Sequence, residues 1–223
     1  MVTRALMAKR KEPVSGDLRS AVVFLHGYGA NGADLINLAE PLSEHMPDTL
    51  FLAPDAPEHS IAAPGMLQWF PIPWIDGSSE EESRQGLDRA AADLNAFLDG
   101  VMVDEDLLPE QVMVFGFSQG TMMALHVCPR REDAVAGIVA FSGRLLEPEL
   151  LTDEAVCRPP VLLVHGDEDD VVPVESLPQA AEALQEAGWT EVYAHLMRGT
   201  GHGIAPDGLS VALAFMRERL GYS

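Results

Sequence analysis

Apolar positions along this chain come in short continuous runs separated by amphipathic stretches. Residues 20–26, 112–117, 135–141 and 161–165 are apolar or β-branched almost throughout. Continuous rather than alternating apolarity is what burial on both faces produces, so these runs read as strands of a parallel sheet. Residues 50–53 and 191–197 complete the predicted strands. Between them, residues 32–44 carry a helical pattern that Pro41 is expected to break in two. Over 79–103, Leu87, Ala91, Leu94 and Leu98 recur at spacings of three or four, the mark of a long amphipathic helix. Further helices are predicted over 119–127, stopping before Pro129, over 175–187, ending at Gly188, and over 207–220. Strands alternating with helices imply an α/β domain with a mostly parallel central sheet and helices on both faces. One such domain is expected over 1–223, with 1–18 as a peripheral segment. The connection over 54–78 exceeds ordinary loop length, which makes it a candidate functional loop.

Composition narrows the function classes. With 223 residues, 47% of them apolar, the chain can bury a sizeable core without needing a second domain. Its 35 acidic residues against 14 lysines and arginines give a formal net charge of −21. Such a surface repels nucleic acid and anionic membranes, so neither is expected as a partner. The acidity reads as a solvated surface, with adaptation to high salt as the sharper alternative. No apolar run approaches the roughly 20 residues that span a bilayer, so no stable membrane anchor is expected. Arg4, Lys9, Arg10 and Lys11 are not followed by an apolar block, which does not resemble a secretory signal; a cytoplasmic location is expected. Cys128 and Cys157 lack metal-ligand spacing and read as reduced thiols.

In an open parallel sheet, ligands gather at the carboxyl ends of strands. The run at 112–117 leads into Gly116-Phe117-Ser118-Gln119-Gly120, a Gly-x-Ser-x-Gly between strand and helix, the setting of a nucleophile elbow. The motif alone is weak, and Ser118 could be an ordinary helix N-cap, but the flanking glycines would then lack a reason. After 161–165 comes His165-Gly166-Asp167-Glu168-Asp169-Asp170, and after 191–197 comes Gly199-Thr200-Gly201-His202-Gly203. Serine, acid and histidine thus reach one sheet edge in the order Ser, Asp, His. A serine hydroxyl needs a base, histidine titrates near neutrality, and a carboxylate fixes its tautomer. Ser118 is therefore the candidate nucleophile and His202 the base. Asp169 is the favoured acid, with Asp167 and Asp170 as alternatives. His26 and His165, each preceding a glycine at a strand end, read as structural. The acidic cluster could suggest a metal, but no partner stands at short ligand spacing, and no metal is expected. Backbone N–H groups of Gln119 and of Tyr28, in the glycine-rich loop after the first run, are the candidate oxyanion donors. The long connection holds Leu67, Trp69, Phe70 and Trp74, which could wall an acyl pocket, cover core or form a homodimer contact.

Several of these segments, in this order, resemble the acyl-protein thioesterase, or phospholipase/carboxylesterase, family of α/β-hydrolases. They are Phe24-Leu25-His26-Gly27-Tyr28-Gly29, Trp69-Phe70, Gly116-Phe117-Ser118-Gln119-Gly120, His165-Gly166-Asp167-Glu168-Asp169 with Val172-Pro173, and Gly201-His202. The resemblance implies esterase or thioesterase activity without a cofactor, on a small-molecule ester or thioester. It implies Ser118, Asp169 and His202 as the triad, Tyr28 and Gln119 as main-chain oxyanion donors, and the loop around Trp69 as a pocket wall. Eukaryotic members usually carry an acidic residue where Ala30 stands, and the stretch 70–76 also differs, which favours short-to-medium acyl esters over protein depalmitoylation. Competing expectations are a lactone- or dienelactone-type hydrolase, acyl transfer on the same residues, and a non-catalytic binding protein.

Overall fold

The structure, a computed structural model, describes residues 2–60, 62 and 65–222. Three residues of the long connection lie outside them. In chain order the elements are β1 (Ala8–Lys11), β2 (Ser20–Leu25), α1 (Gly32–Ile36), α2 (Ala39–Ser43), β3 (Thr49–Pro54), β4 (Glu58–His59), β5 (Leu67–Gln68), α3 (Pro73–Asp76) and α4 (Glu80–Asp104). They continue as β6 (Val112–Phe117), α5 (Gln119–Val127), β7 (Gly137–Phe141), α6 (Leu151–Glu154), β8 (Val161–Gly166), α7 (Ser176–Glu186), β9 (Val192–Met197) and α8 (Pro206–Arg219).

Among the described residues, seven strands form one sheet in the order β1-β3-β2-β6-β7-β8-β9. Every pairing is parallel except β1 with β3, where Ala8 faces Pro54 and Lys11 faces Phe51. The period-two geometry of the inner strands sorts their side chains into two cores. Ala21, Val23, Leu25, Val112, Val114, Ile138, Ala140, Val161 and Leu163 face one side, against α4, α5 and α7. Val22, Phe24, Met113, Phe115, Val139, Phe141, Leu162 and Val164 face the other, against α1, α2 and α8. A face of Leu87, Ala90, Leu94, Leu98 and Val101 docks α4; Ala90 rather than Ala91 is its fully buried alanine.

The segment before residue 18 adds an edge strand, β1, that the apolar pattern does not predict. One expectation is corrected here. The helical stretch after β2 breaks at Asn37 and Leu38, not at Pro41, which sits in the first turn of α2. A proline is tolerated there because its missing N–H would have no helical partner anyway.

The chain runs from β2 outward to β3, then returns to the other side of β2 as β6. The strand order therefore reverses between β2 and β6, and the crevice at their carboxyl ends is where such sheets bind ligands.

Candidate active site

Ser118 joins β6 to α5 in a turn too tight for ordinary residues. Its own backbone sits at φ 54°, ψ −114°, outside the usual regions for a side-chain-bearing residue. The flanking glycines make this turn possible by close approach. A Cβ on Gly120 would lie 1.9 Å from the Leu25 carbonyl oxygen, and one on Gly116 would lie 2.5 Å from the Thr121 nitrogen. Ser118 is thus pressed into the β2–β6 crevice, 9% exposed, at the N-terminus of a buried helix.

The hydroxyl of Ser118 lies 3.0 Å from Nε2 of His202, and Nδ1 of His202 lies 2.8 Å from Oδ2 of Asp169. An ionised carboxylate only accepts, so Nδ1 carries the proton and Nε2 presents its lone pair to Ser118. The Asp169 side chain has no exposed surface. Burial opposes its charge, but hydrogen bonds from His202 and from the N–H groups of Val172 and Val171 outweigh that and hold its carboxyl below the usual carboxylate range. Phe117 packs its ring 5.0 Å from the imidazole of His202 and limits how the base can turn.

The two other candidate acids stand elsewhere. Asp167 accepts from the Gly199 N–H at 2.6 Å and so ties the loop after β8 to the loop carrying His202. Asp170 is exposed. His165 Nε2 donates to the Val172 carbonyl at 2.9 Å and also lies 3.3 Å from Asp169 Oδ2, bracing the turn that presents the acid. His26 is fully buried; Nδ1 donates to the Gly27 carbonyl and Nε2 accepts from the Ala56 N–H. Burial lowers its basicity, which keeps it neutral as a brace of the loop after β2.

That loop runs directly beside the serine: a Cβ on Gly27 would come 3.2 Å from Cβ of Ser118. Gly29 N–H donates to the Leu67 carbonyl and Ala30 N–H to the Gly27 carbonyl. The N–H of Tyr28 makes no backbone hydrogen bond among the described residues. Gln119 is the first residue of α5, so its N–H is one of the amides a helix leaves without a partner, at the positive end of the helix dipole.

A cavity of about 480 Å³ opens over Ser118 and His202, bounded by Tyr28, Ile72, Met122, Val172 and the exposed Trp74. Of the four expected wall residues, Trp74 lines it and the other three do not. Trp69 is fully buried, its Nε1–H donating to the His26 carbonyl. Leu67 lies in β5 and holds the loop after β2 through its backbone, and Phe70 faces a neighbouring cavity. An aromatic loop carries the same composition whether it faces a cavity or the core, which is why the sequence does not separate these roles.

Three functional contributions escaped the sequence reading. The Gln119 side chain accepts from the Trp69 N–H at 3.0 Å and donates to the Phe70 carbonyl at 2.7 Å, clamping that loop under the elbow. Asp76 accepts from the Tyr28 hydroxyl and the Ile72 N–H. Arg144, three residues beyond β7, enters the cavity wall. The carboxyl end of that strand was the signal available for finding it.

A parallel sheet with its strand-order reversal under a strained serine, and a histidine and an aspartate brought to that serine from later loops, define a hydrolase of the α/β-hydrolase fold. The profile of the phospholipase/carboxylesterase family matches residues 12–220, and the chain belongs to that family. Acyl-protein thioesterase 1 of Saccharomyces cerevisiae is 31% identical over 215 residues, covering 91% of this chain and 93% of the relative. The crystal structure of esterase PE8 superposes with a TM-score of 0.91 at 41% identity, covering 97% of this chain and 100% of that one. Zea mays acyl-protein thioesterase 2 shares the fold, with a TM-score of 0.79 at 24% identity over 96% of this chain and 99% of that one. The protein is a carboxylic-ester hydrolase of the carboxylesterase/thioesterase kind. Among the described residues, no helix is long and apolar enough to cross a membrane.

Proposed function

We propose that Ser118 is the nucleophile, His202 the general base and acid, and Asp169 the carboxylate that orients the imidazole. The substrates are short-to-medium acyl esters or thioesters. The observation that carries this reading is the unbroken line from Ser118 Oγ through both nitrogens of His202 to Asp169, at 3.0 and 2.8 Å.

Ser118 Oγ attacks the carbonyl carbon while its proton passes to His202 Nε2. The negative charge that develops on the carbonyl oxygen is received by the N–H groups of Tyr28 and Gln119; such a donor contributes about 3 kcal/mol of barrier lowering. The imidazolium, stabilised by Asp169, returns the proton to the leaving alcohol or thiol as its bond to carbon breaks. Water then attacks the acyl-enzyme, its proton goes to His202 and on to Ser118, and the carboxylic acid leaves.

The cavity volume and its apolar side chains support acyl groups of modest length. Rapid mixing with p-nitrophenyl acetate tests the two-step course. An initial burst approaching one p-nitrophenolate per protein is expected if deacylation is the slower step, with acyl-Ser118 trapped on acid quench. Ser118→Ala should lower kcat by about four to six orders of magnitude. Full turnover by that variant would exclude the assignment.

A further inference from the structure

The cavity over Ser118 contains a cation that the ester chemistry above does not use. Arg144 stands in its wall, on the loop after β7, and packs its guanidinium 5.6 Å from the ring centroid of Trp74. Most arginines of this acidic chain lie within ion-pair distance of a carboxylate, as Arg4, Arg10, Arg130 and Arg131 do. Among the described residues, Arg144 forms no ion pair and no hydrogen bond. Among the described residues, no carboxylate lines the cavity with it. Arg144 also borders the adjoining cavity, whose wall holds Glu80, Glu81 and Glu147, but it forms no ion pair with any of them. Asp76, close to Trp74 in the chain, has its oxygens occupied by Tyr28, Ile72 and Ser78.

The guanidinium carbon lies over the Trp74 ring, and no ion pair or hydrogen bond among the described residues takes up its N–H donors. Such donors match a carboxylate or phosphate in a two-bond fork. The rest of the wall is largely apolar, including Ile72, Met122, Val172 and Pro173. An uncharged acyl chain lying along Arg144 offers its donors no partner, whereas an anionic group within reach engages them in charge-assisted hydrogen bonds. The surrounding net charge of −21 works against anions at long range, but at physiological salt that repulsion is screened beyond about 8 Å. Inside the cavity the local guanidinium decides.

We propose that Arg144 is a specificity-determining residue that selects esters carrying an anionic group, a carboxylate or a phosphate, on the acyl or the leaving-group side. This rests on the reading of Ser118 as the nucleophile beneath the same cavity. Arg144 is exposed and makes no hydrogen bond among the described residues, so its replacement is compatible with folding.

The test compares substrate pairs that differ in charge alone. One pair is the mono-p-nitrophenyl ester of adipic acid and its methyl-capped counterpart, corrected for enzyme-free hydrolysis. The other is a short-chain acylglycerol phosphate and the matching acylglycerol. The kcat/KM ratio of charged to uncharged substrate is measured at fixed ionic strength for the wild type, Arg144→Gln and Arg144→Lys. In at least one pair the ratio should fall by roughly tenfold in Arg144→Gln, the scale of a charge-assisted contact, with the larger part of the change in KM. Arg144→Lys should restore part of it. The adipate pair reports a carboxylate on the acyl side and the glycerol pair a phosphate on the alcohol side. A ratio unchanged in both pairs overturns the proposal. Fluorophosphonate labelling of Ser118 in all three proteins keeps the outcomes separable: loss of labelling in the wild type refutes the nucleophile, and intact labelling with an unchanged ratio refutes the role of Arg144 alone.

Discussion

Strain at Ser118 is maintained by its surroundings. A non-glycine residue at φ 54° costs about 1–3 kcal/mol, and it persists because the β6 ladder and α5 hold both sides of the turn. Asp169 is the complementary case, a buried charge stabilised by several donors. Its lowered pKa means that it adds stability above the usual carboxylate range, and this is lost as pH falls through its folded value. His126, at the far end of α5, behaves differently. Burial, and then the cation of Arg130, lower its pKa to about 4, with Glu154 as a counterweight; Glu147 lies 3.9 Å from Nδ1. The unfolded chain therefore takes up this proton near pH 6.5, before the folded protein does. Stability should decline as pH falls from about 6.5 to about 4, by roughly 3 kcal/mol in total from this residue. Urea unfolding of wild type and His126→Met over that range checks it: the variant should show a shallower decline, and parallel curves would remove His126 as the cause.

At the scale of elements, the elbow depends on α5 lying against β2 and β6. Two glycines separate packing from propensity. Gly120→Ala would place a methyl group 1.9 Å from a backbone oxygen of β2, which requires the helix and strand to part, so a loss of more than about 3 kcal/mol is expected. Gly100 lies inside α4 with open space where its Cβ would be, so Gly100→Ala should stabilise by up to about 1 kcal/mol. Denaturation midpoints that move in the same direction for both would contradict this account.

The same packing explains what the sequence made legible. Both ends of β6 and α5 are readable because an apolar run, two glycines and Pro129 bound them. Strand-end inspection also leads to Ser118, Asp169 and His202, which the structure holds in one hydrogen-bonded line. Strand β1 is invisible to the same reading: Ala8-Lys9-Arg10-Lys11 is an edge strand, and charged side chains suit an edge while erasing the apolar signal. Trp69 misleads for the opposite reason. Its bulk marks burial, and only the three-dimensional arrangement shows that it lies beneath the loop after β2 and not in the cavity.

Across the whole molecule, the architecture converges on one crevice. The reversal of strand order between β2 and β6 sets the loop after β2 beside the elbow, and the parallel run β6-β7-β8-β9 delivers Arg144, Asp169 and His202 to the same edge. The strongly acidic exterior shapes which molecules approach, whereas the cavity over Ser118 has no carboxylate in its wall among the described residues. The central claim is that this convergence activates a single hydroxyl. Treating the folded protein with a fluorophosphonate, then mapping the modified peptide by mass spectrometry, tests it most directly. One phosphonyl group per chain, on Ser118, with ester hydrolysis lost in proportion to labelling, is the predicted result. Complete labelling at another residue, or full activity with Ser118 modified, would contradict it.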